Sequence, residues 1–207
     1  MAHAPEQLAP PPDGLSIWCW RNIGPYENNL YLLSDDATGE AYLIDAGWEP
    51  EEIARAAQAL KVRGILVTHG HKDHHEHVET FRDLLGAPVG IGVHDAEMLS
   101  IKPDFLIEDN QTFRFGRHEL RALHTPGHTP GSTCLLLNDR LFTGDCLFPG
   151  GPGNTRKDPV KFAQIIDSIK ARLFVLPDET AVCPGHGRDT TIGAERPHLD
   201  EWIARGW

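Results

Sequence analysis

The sequence has few cysteines, no C-x-x-C pair and no long apolar run. The 4 cysteines lie far apart in apolar surroundings, which favours buried, reduced thiols over a disulfide framework. They are Cys19, Cys134, Cys146 and Cys183. No apolar run approaches the ~18 residues of a membrane-spanning helix, and Met1 to Asp13 have neither the basic region nor the apolar core of a signal peptide. We therefore expect a cytoplasmic protein that does not enter a membrane.

Basic residues are also scarce. The chain has 19 Lys and Arg against 30 Asp and Glu, with a formal net charge of -11 at pH 7. This charge offers no basic field to nucleic acid or to an anionic lipid surface, so the expected partner is a small-molecule substrate. The oligomeric state stays open. A length of 207 residues, of which 40% are hydrophobic, leaves room for one substantial core. We predict a Pro-rich lead at 1–14 and a single domain over 15–207.

Within this domain, short apolar runs alternate with turn residues and amphipathic segments. The pattern predicts a β-meander at 15–20, 29–33 and 41–45, then a helix that begins at Pro50 and a buried strand at 62–67. Further strands are expected at 88–93, 112–115, 119–124, 132–137, 140–143 and 180–183. Further helices are expected at 76–85, at 94–99, from the capping pair Asp158-Pro159, and around Trp202. The order predicts a mixed α/β protein.

Histidine is the unusual residue of this composition, with 12 in the chain and 5 of them between positions 69 and 77. The segment His69-x-His71-x-Asp73-His74 follows a predicted strand directly, and a loop at a strand end is a common place for a functional site. Imidazole and carboxylate groups suit zinc, iron or manganese, and one such ion takes about four ligands. A cluster this dense can therefore contribute to two metal centres.

Three later segments offer further ligands, each after an apolar run: His128 in the turn His124–Ser132, Asp145 after Leu141–Gly144, and His186 in Pro184–Gly187. Together with the first cluster and with Asp45, their order resembles the metallo-β-lactamase superfamily. The resemblance spans residues 29–187. It implies a four-layered αββα sandwich with the site at one edge, between the two sheets.

The resemblance also implies a role for each residue. One metal ion would be held by His69, His71 and His128, and a second by Asp73, His74 and His186. Asp145 would bridge the two ions, and Asp45 would orient a liganding histidine. The implied reaction is hydrolysis by a hydroxide formed from metal-bound water, with Asp73 and Asp145 as its catalytic carboxylates. The expected cofactors are two zinc ions per chain, with iron or manganese as alternatives.

Within the superfamily, the short spacing and the turn His128–Ser132 resemble the glyoxalase II-like (hydroxyacylglutathione hydrolase-like) branch, which hydrolyses thioesters. The helical C-terminal domain of that branch is missing from this sequence, so the thiol portion of the substrate stays open. The loop Phe148–Arg156 is expected to form a pocket wall. Its residues Asn154, Thr155 and Arg156 are predicted to bind a polar or anionic substrate group.

Two alternatives to thioester hydrolysis remain at this point. One is a mononuclear iron persulfide (sulfur) dioxygenase, a related branch that carries Gly-Arg-Thr-Asp where this sequence has Gly153 to Arg156. The other is hydrolysis of a lactone, a β-lactam or a phosphoester. Of the remaining polar candidates, His75 and His77 are expected to be exposed or to cap a helix, and His124 to be packed. Cys146 is expected to be buried.

Overall fold

The structure is a computed structural model that describes residues 4–8 and 14–206. Most of the predicted Pro-rich lead, and Trp207, lie outside the described residues. The part of the lead that is described contains Glu6–Gln7, which pairs with a neighbouring strand at the edge of the first sheet. Among the described residues, no helix is both long and apolar enough to cross a membrane.

The first sheet has seven strands that follow one another in chain order. They are β1 (Glu6–Gln7), β2 (Leu15–Ile23), β3 (Asn28–Asp35), β4 (Glu40–Ile44), β5 (Lys61–Val67), β6 (Val89–Gly92) and β7 (Phe105–Ile107). Neighbours are antiparallel from β1 to β4 and parallel from β4 to β7. The parallel half needs crossover connections, and these carry two of the helices.

The second sheet has six strands in the order β15-β14-β11-β10-β9-β8. They are β8 (Thr112–Phe115), β9 (His118–His124), β10 (Thr133–Leu137), β11 (Arg140–Gly144), β14 (Ala181–Pro184) and β15 (Thr190–Thr191). Only the central β11 and β14 pair is parallel. A separate two-stranded ribbon, β12 (Leu147–Phe148) with β13 (Gly151–Pro152), lies between β11 and β14 in the chain.

The two sheets pack against each other through alternate side chains of their strands. In β3, Tyr31 and Leu33 join the cluster between the sheets, whereas Leu30 and Leu32 point to the opposite face. The second sheet supplies Phe142, whose ring centroid lies 4.9 Å from that of Tyr31. This period of two is the one that β-strand geometry imposes, and it gives each sheet two apolar faces.

Helices cover both outer faces. They are α1 (Pro50–Ala56) and α2 (Val78–Leu85) on the first sheet, and α3 (Pro159–Ser168), α4 (Ile192–Glu195) and α5 (Leu199–Arg205) on the second. A π-helical turn, Ile169–Leu173, extends α3. Each side has its own buried cluster, with Phe81 on one and Trp202 on the other. The layers are therefore helix, sheet, sheet, helix, which confirms the predicted αββα sandwich.

Most predicted segments are confirmed, with differences at short elements. Asp158 caps α3 as expected, since its Oδ1 accepts hydrogen bonds from Val160 N at 2.9 Å and Lys161 N at 3.2 Å. α2 begins at Val78, two residues later than position 76, because a 3₁₀ turn at Lys72–His74 precedes it. The strand β7 was not predicted, because three residues are too few to establish an alternating pattern. All four cysteines are free and buried, as expected.

Phe81 and Leu84 of α2 provide a matched test of this packing. Phe81 is fully buried, whereas Leu84 on the same helix is 50% exposed. Phe81→Ala should lower the free energy of unfolding by about 3–5 kcal/mol, because it leaves a cavity under the helix. Leu84→Ala should change it by less than about 0.5 kcal/mol. Denaturant titration of both variants measures the difference, and equal effects would contradict this packing.

Candidate metal centre

The seven predicted ligands come from loops that follow the ends of four strands. His69 to His74 follow β5, His128 lies in the turn after β9, Asp145 follows β11 and His186 follows β14. One of these strands, β5, belongs to the first sheet, and the other three belong to the second. The structure brings all seven together in two groups of side chains, and Asp145 lies near both.

The first group consists of three ring nitrogens that face one another. His71 Nδ1 lies 3.1 Å from His69 Nε2 and 2.9 Å from His128 Nε2. His69 and His128 are buried, and His71 is partly exposed. One ring nitrogen carries at most one proton, so His71 Nδ1 cannot hydrogen-bond to both neighbours as a donor.

Contacts on the outer side of these rings determine their protonation. His128 Nδ1 donates to the carbonyl oxygen of Asn154 at 2.9 Å, so a neutral ring carries its lone pair on Nε2. His69 Nδ1 lies 3.2 Å from Thr68 Oγ1, and that hydroxyl donates to Asp45. The Thr68 oxygen is therefore the acceptor for His69 Nδ1–H. Both inward-facing Nε2 atoms are left as lone-pair donors toward a cation.

The second group repeats this arrangement with Asp73, His74 and His186. His186 Nδ1 donates to the carbonyl oxygen of Tyr26 at 2.8 Å, and His74 Nδ1 contacts Asp45 Oδ2 at 2.8 Å. Their Nε2 atoms then face each other at 3.2 Å. Asp73 Oδ2 lies 3.4 Å from the first of these atoms, on His74, and 3.3 Å from the second.

Asp145 lies between the groups and offers one oxygen to each. Its Oδ2 is 3.4 Å from His128 Nε2, and its Oδ1 is 3.4 Å from His74 Nε2 and 3.5 Å from His186 Nε2. Oδ1 is buried and has no hydrogen-bond partner within 4–8 and 14–206. A buried carboxylate oxygen without a donor is costly, and a cation at this position would satisfy it.

The spacing of these atoms fits metal ligation. Two ligands on a tetrahedral zinc ion, each at about 2.0–2.1 Å, are about 3.3 Å apart. The separations in both groups run from 2.9 to 3.5 Å. Neutral imidazoles and carboxylates are also the donor types that zinc, iron and manganese accept. The residues present therefore fit a site for two divalent cations.

Electrostatics keeps the first group neutral. Burial lowers the pKa of the His69 ring well below its usual range, and the neighbouring rings lower it further. Burial likewise lowers the pKa of His71 to about 4, and it lowers the pKa of His128. All three rings are therefore unprotonated at neutral pH, which is the form that binds a metal ion.

The second group has the opposite balance in the metal-free protein. Burial lowers the pKa of His74, but the carboxylates of Asp45 and Asp145 outweigh it and raise the pKa well above its usual value. Burial raises the pKa of Asp145, but the neighbouring histidines outweigh it and the net pKa is low. The carboxylates are thus ionised, and the site attracts positive charge.

Asp45 and Thr68 support both groups from behind. Asp45 Oδ1 accepts from the backbone N–H of Thr68 at 2.8 Å, while its Oδ2 contacts His74 as described above. Asp45 therefore lies where the sequence predicts, in position to orient His74. Through the Thr68 hydroxyl it also fixes the ring of His69.

Asn28 is a site residue that the sequence does not reveal as such. Its Nδ2 donates to Asp73 Oδ2 at 2.9 Å, and its Oδ1 accepts from Trp48 Nε1 at 3.1 Å. The side chain is fully buried at the start of β3. The only sequence signal is the pair Asn28-Asn29, because buried amides are unusual at the start of an apolar strand.

Of the three residues predicted to bind substrate, only Asn154 lines the pocket beside Asp145. A pocket of about 320 Å³ beside Asp145 is lined by Phe148–Asn154. Asn154 lies at its edge, and its side chain accepts from Arg156 N. Thr155 is 1% exposed, which takes its side chain out of reach of a substrate. Arg156 is exposed but does not line this pocket.

Three other histidines considered in the sequence, His75, His77 and His124, have contacts outside the two ligand groups. The expectation that His75 is exposed or caps a helix is wrong: it is 2% exposed, and its Nε2 lies 3.2 Å from the carbonyl oxygen of Gly70. His77 is the N-cap residue of α2 but makes no capping bond through its side chain. Its ring packs edge-on against Trp48. His124 is half-buried, and its Nε2 bonds to the carbonyl oxygen of Pro130 at 2.9 Å, outside both groups.

The sequence of this chain is similar to those of known proteins. A family model described as "Metallo-beta-lactamase superfamily" matches residues 23–186. The chain is 32% identical over 165 residues to BaeB of Bacillus velezensis, a probable polyketide biosynthesis zinc-dependent hydrolase, covering 78% of this chain and 73% of BaeB. It is 28% identical over 196 residues to the hydroxyacylglutathione hydrolase GloC of Haemophilus influenzae, covering 84% of this chain and 92% of GloC.

Solved structures have the same fold. The structure of TTHA1623 in a di-iron-bound form is similar to this one with a TM-score of 0.68 and 32% sequence identity. The match covers 84% of this chain and 94% of that chain. The likeness extends over nearly the whole of that protein and includes a form that holds two metal ions.

Asn28→Ala tests the support of Asp73. The variant removes the amide that holds this carboxylate, so we expect the affinity for zinc to fall by about 10–100-fold. Competition with a chelator of known affinity measures the change. The control is Gln58→Ala, which removes an exposed amide outside both groups and should bind zinc as the wild type does. Equal affinities of Asn28→Ala and wild type would refute this role.

Proposed function

The chain belongs to the metallo-beta-lactamase superfamily, and from this premise we propose that it is a dinuclear metal-dependent hydrolase that cleaves thioesters. The observation that carries the dinuclear part is the pair of converging ligand groups on either side of Asp145. A mononuclear site would need only one of them. The zinc dependence named for BaeB supports zinc, and the di-iron form of TTHA1623 keeps iron as an alternative.

The ligand sets follow from the contacts. His69, His71 and His128 would hold one ion, and Asp73, His74 and His186 the other. Asp145 would bridge them, because each of its oxygens faces a different group. Two cations about 3.5–4 Å apart repel each other, and an anionic bridge offsets that repulsion. When bound, such ions activate water at neutral pH and polarise a carbonyl group.

The residues around the ions would position the substrate. The side-chain amide of Asn28 donates a hydrogen bond to Asp73 Oδ2. This bond fixes the orientation of the carboxylate and therefore the position of its other oxygen. Asp73 is partly exposed whereas Asp45 is buried, so of these two carboxylates Asp73 is the one that a substrate would reach. Asn154, at the rim of the adjoining pocket, is available to bind a polar substrate group.

The pocket beside Asp145 favours an uncharged acyl group. Its wall consists of Phe148, Pro149, Pro152 and the intervening glycines, and Asp145 is the charged residue of this lining. An apolar wall next to an acidic metal centre suits a small acyl chain better than a phosphate. The name of GloC supports a thioester of this kind as the substrate.

A substrate panel combined with metal analysis tests the proposal. Protein purified without added metal should contain close to two zinc ions per chain and should hydrolyse S-acylglutathione or acyl-CoA faster than a lactone, a β-lactam or a phosphoester. Asp145→Ala should lose at least about 100-fold in activity, since even the partners of metal ligands are worth 10–100-fold. The matched control is Asp139→Ala, which changes an exposed carboxylate in the turn between β10 and β11.

Three results would overturn the proposal. A single iron ion with oxygen uptake on glutathione persulfide would indicate a dioxygenase. A preference for a lactone, β-lactam or phosphoester would exclude thioesters as the main substrate. Full activity of Asp145→Ala would exclude the bridging carboxylate.

A further inference from the structure

Asp95 is a fully buried carboxylate outside the seven candidate ligands. It lies on the 3₁₀ helix Val93–Met98, directly after β6. Its Oδ2 accepts hydrogen bonds from Gly70 N at 2.8 Å and from Thr129 Oγ1 at 2.6 Å, and its Oδ1 accepts from Gly131 N at 2.7 Å. Three hydrogen bonds thus converge on one buried side chain, and together they hold the three donors in place.

Two of the three donors are next to histidines of the first group in the chain, and the third, Gly131, lies in the same turn as Thr129. Gly70 separates His69 from His71, and Thr129 follows His128. Each of these three histidines is therefore next in the chain to a residue that donates a hydrogen bond to Asp95. The histidine loop after β5 and the turn after β9 come from different sheets, and this one carboxylate joins them.

Packing around Asp95 leaves these loops no room to shift. A Cβ atom on Gly131 would lie 2.5 Å from Asp95 N and 2.6 Å from its Cγ. A Cβ atom on Gly70 would lie 2.5 Å from Met98 Cβ, on the same 3₁₀ helix. The opposite side of the Gly70 residue is held by His75, which contacts its carbonyl oxygen. Only glycine fits at both positions.

Of the supports described above, Asp45 serves both groups, and the second group has two more of its own. Asn28 contacts Asp73, Asp45 contacts His74, and the carbonyl oxygen of Tyr26 accepts from His186. None of the hydrogen bonds found for Asp95 within the described ranges goes to these residues or their neighbours. A change at Asp95 therefore disturbs the surroundings of the first group and leaves these contacts of the second group in place.

We propose that Asp95 is a positioning residue that holds His69, His71 and His128 at the spacing that the first metal ion requires. The second ion depends on other residues and does not need it. The inference rests on the proposed function, because it assumes that the first group binds a cation.

Zinc counted per chain at increasing chelator concentration tests this role. Wild-type protein should retain two ions. Asp95→Ala should retain one ion with wild-type affinity and bind the other about 10–100-fold more weakly. Asp95→Asn preserves the shape and one acceptor oxygen. Its affinity for the more weakly bound ion should therefore lie between those of wild type and Asp95→Ala. If Asp95→Ala fails to fold, the comparison of Asp95→Asn with wild type still decides the matter.

The matched control is Asp35→Ala. Asp35 is 1% exposed at the other end of β3 from Asn28, and its Oδ1 accepts from Thr38 N and Thr38 Oγ1 at 2.8 Å each. Removal of the Asp35 carboxylate should lower the free energy of unfolding but leave both ions bound. This result would show that the selective loss of one ion in Asp95→Ala is not a general effect of removing a buried carboxylate.

Three outcomes separate the failure of this inference from the failure of the proposed function. Two ions in wild type together with two equally tight ions in both Asp95 variants would overturn the role of Asp95 alone. Equal weakening of both ions would overturn its selectivity for the first group. Wild-type protein that binds no zinc would overturn the dinuclear site, and the role of Asp95 with it.

Discussion

Ring nitrogens of His69, His71 and His128 face one another between the two sheets, with too few protons among them to form hydrogen bonds to every neighbour. His128 and His186 each donate their outer ring proton to a backbone carbonyl oxygen, so in the neutral ring the inner nitrogen carries the lone pair. Asp145 Oδ1 is buried beside them with no donor found in the described residues. Cations would convert this repulsion into coordination, and binding them would also stabilise the folded chain.

The sandwich makes this convergence possible because it places strand ends from both sheets at one site. The loop that follows β5 and the loop that follows β14 are close together, so His74 and His186 are in contact although they are far apart in the chain. Each ligand is then fixed by a partner behind it, such as Asp45 for His74 and Asn28 for Asp73. Such partners determine how a ring or carboxylate is aimed, and therefore whether the spacing suits a metal ion.

The sequence was sufficient to predict which seven side chains converge but not what holds them. Histidine and carboxylate side chains at strand ends are typical of metal sites. Residues such as His69 and Asp145 can therefore be predicted as candidate ligands from their type and position in the sequence. Two of the supports are backbone carbonyl oxygens, of Tyr26 and Asn154, and a backbone atom leaves no signature in the sequence. Asp95 looks like a solvated helix carboxylate until the fold brings two loops against it. The apolar runs predicted most of the strands, but their arrangement in two sheets was implied only by the family resemblance.

Anomalous X-ray scattering from zinc, recorded on crystals of the wild-type protein, tests the dinuclear centre most directly. We expect two peaks about 3.5–4 Å apart. One should lie among His69, His71 and His128 and the other among Asp73, His74 and His186, with Asp145 contacting both. A single peak, or zinc bound only elsewhere on the chain, would contradict a dinuclear centre.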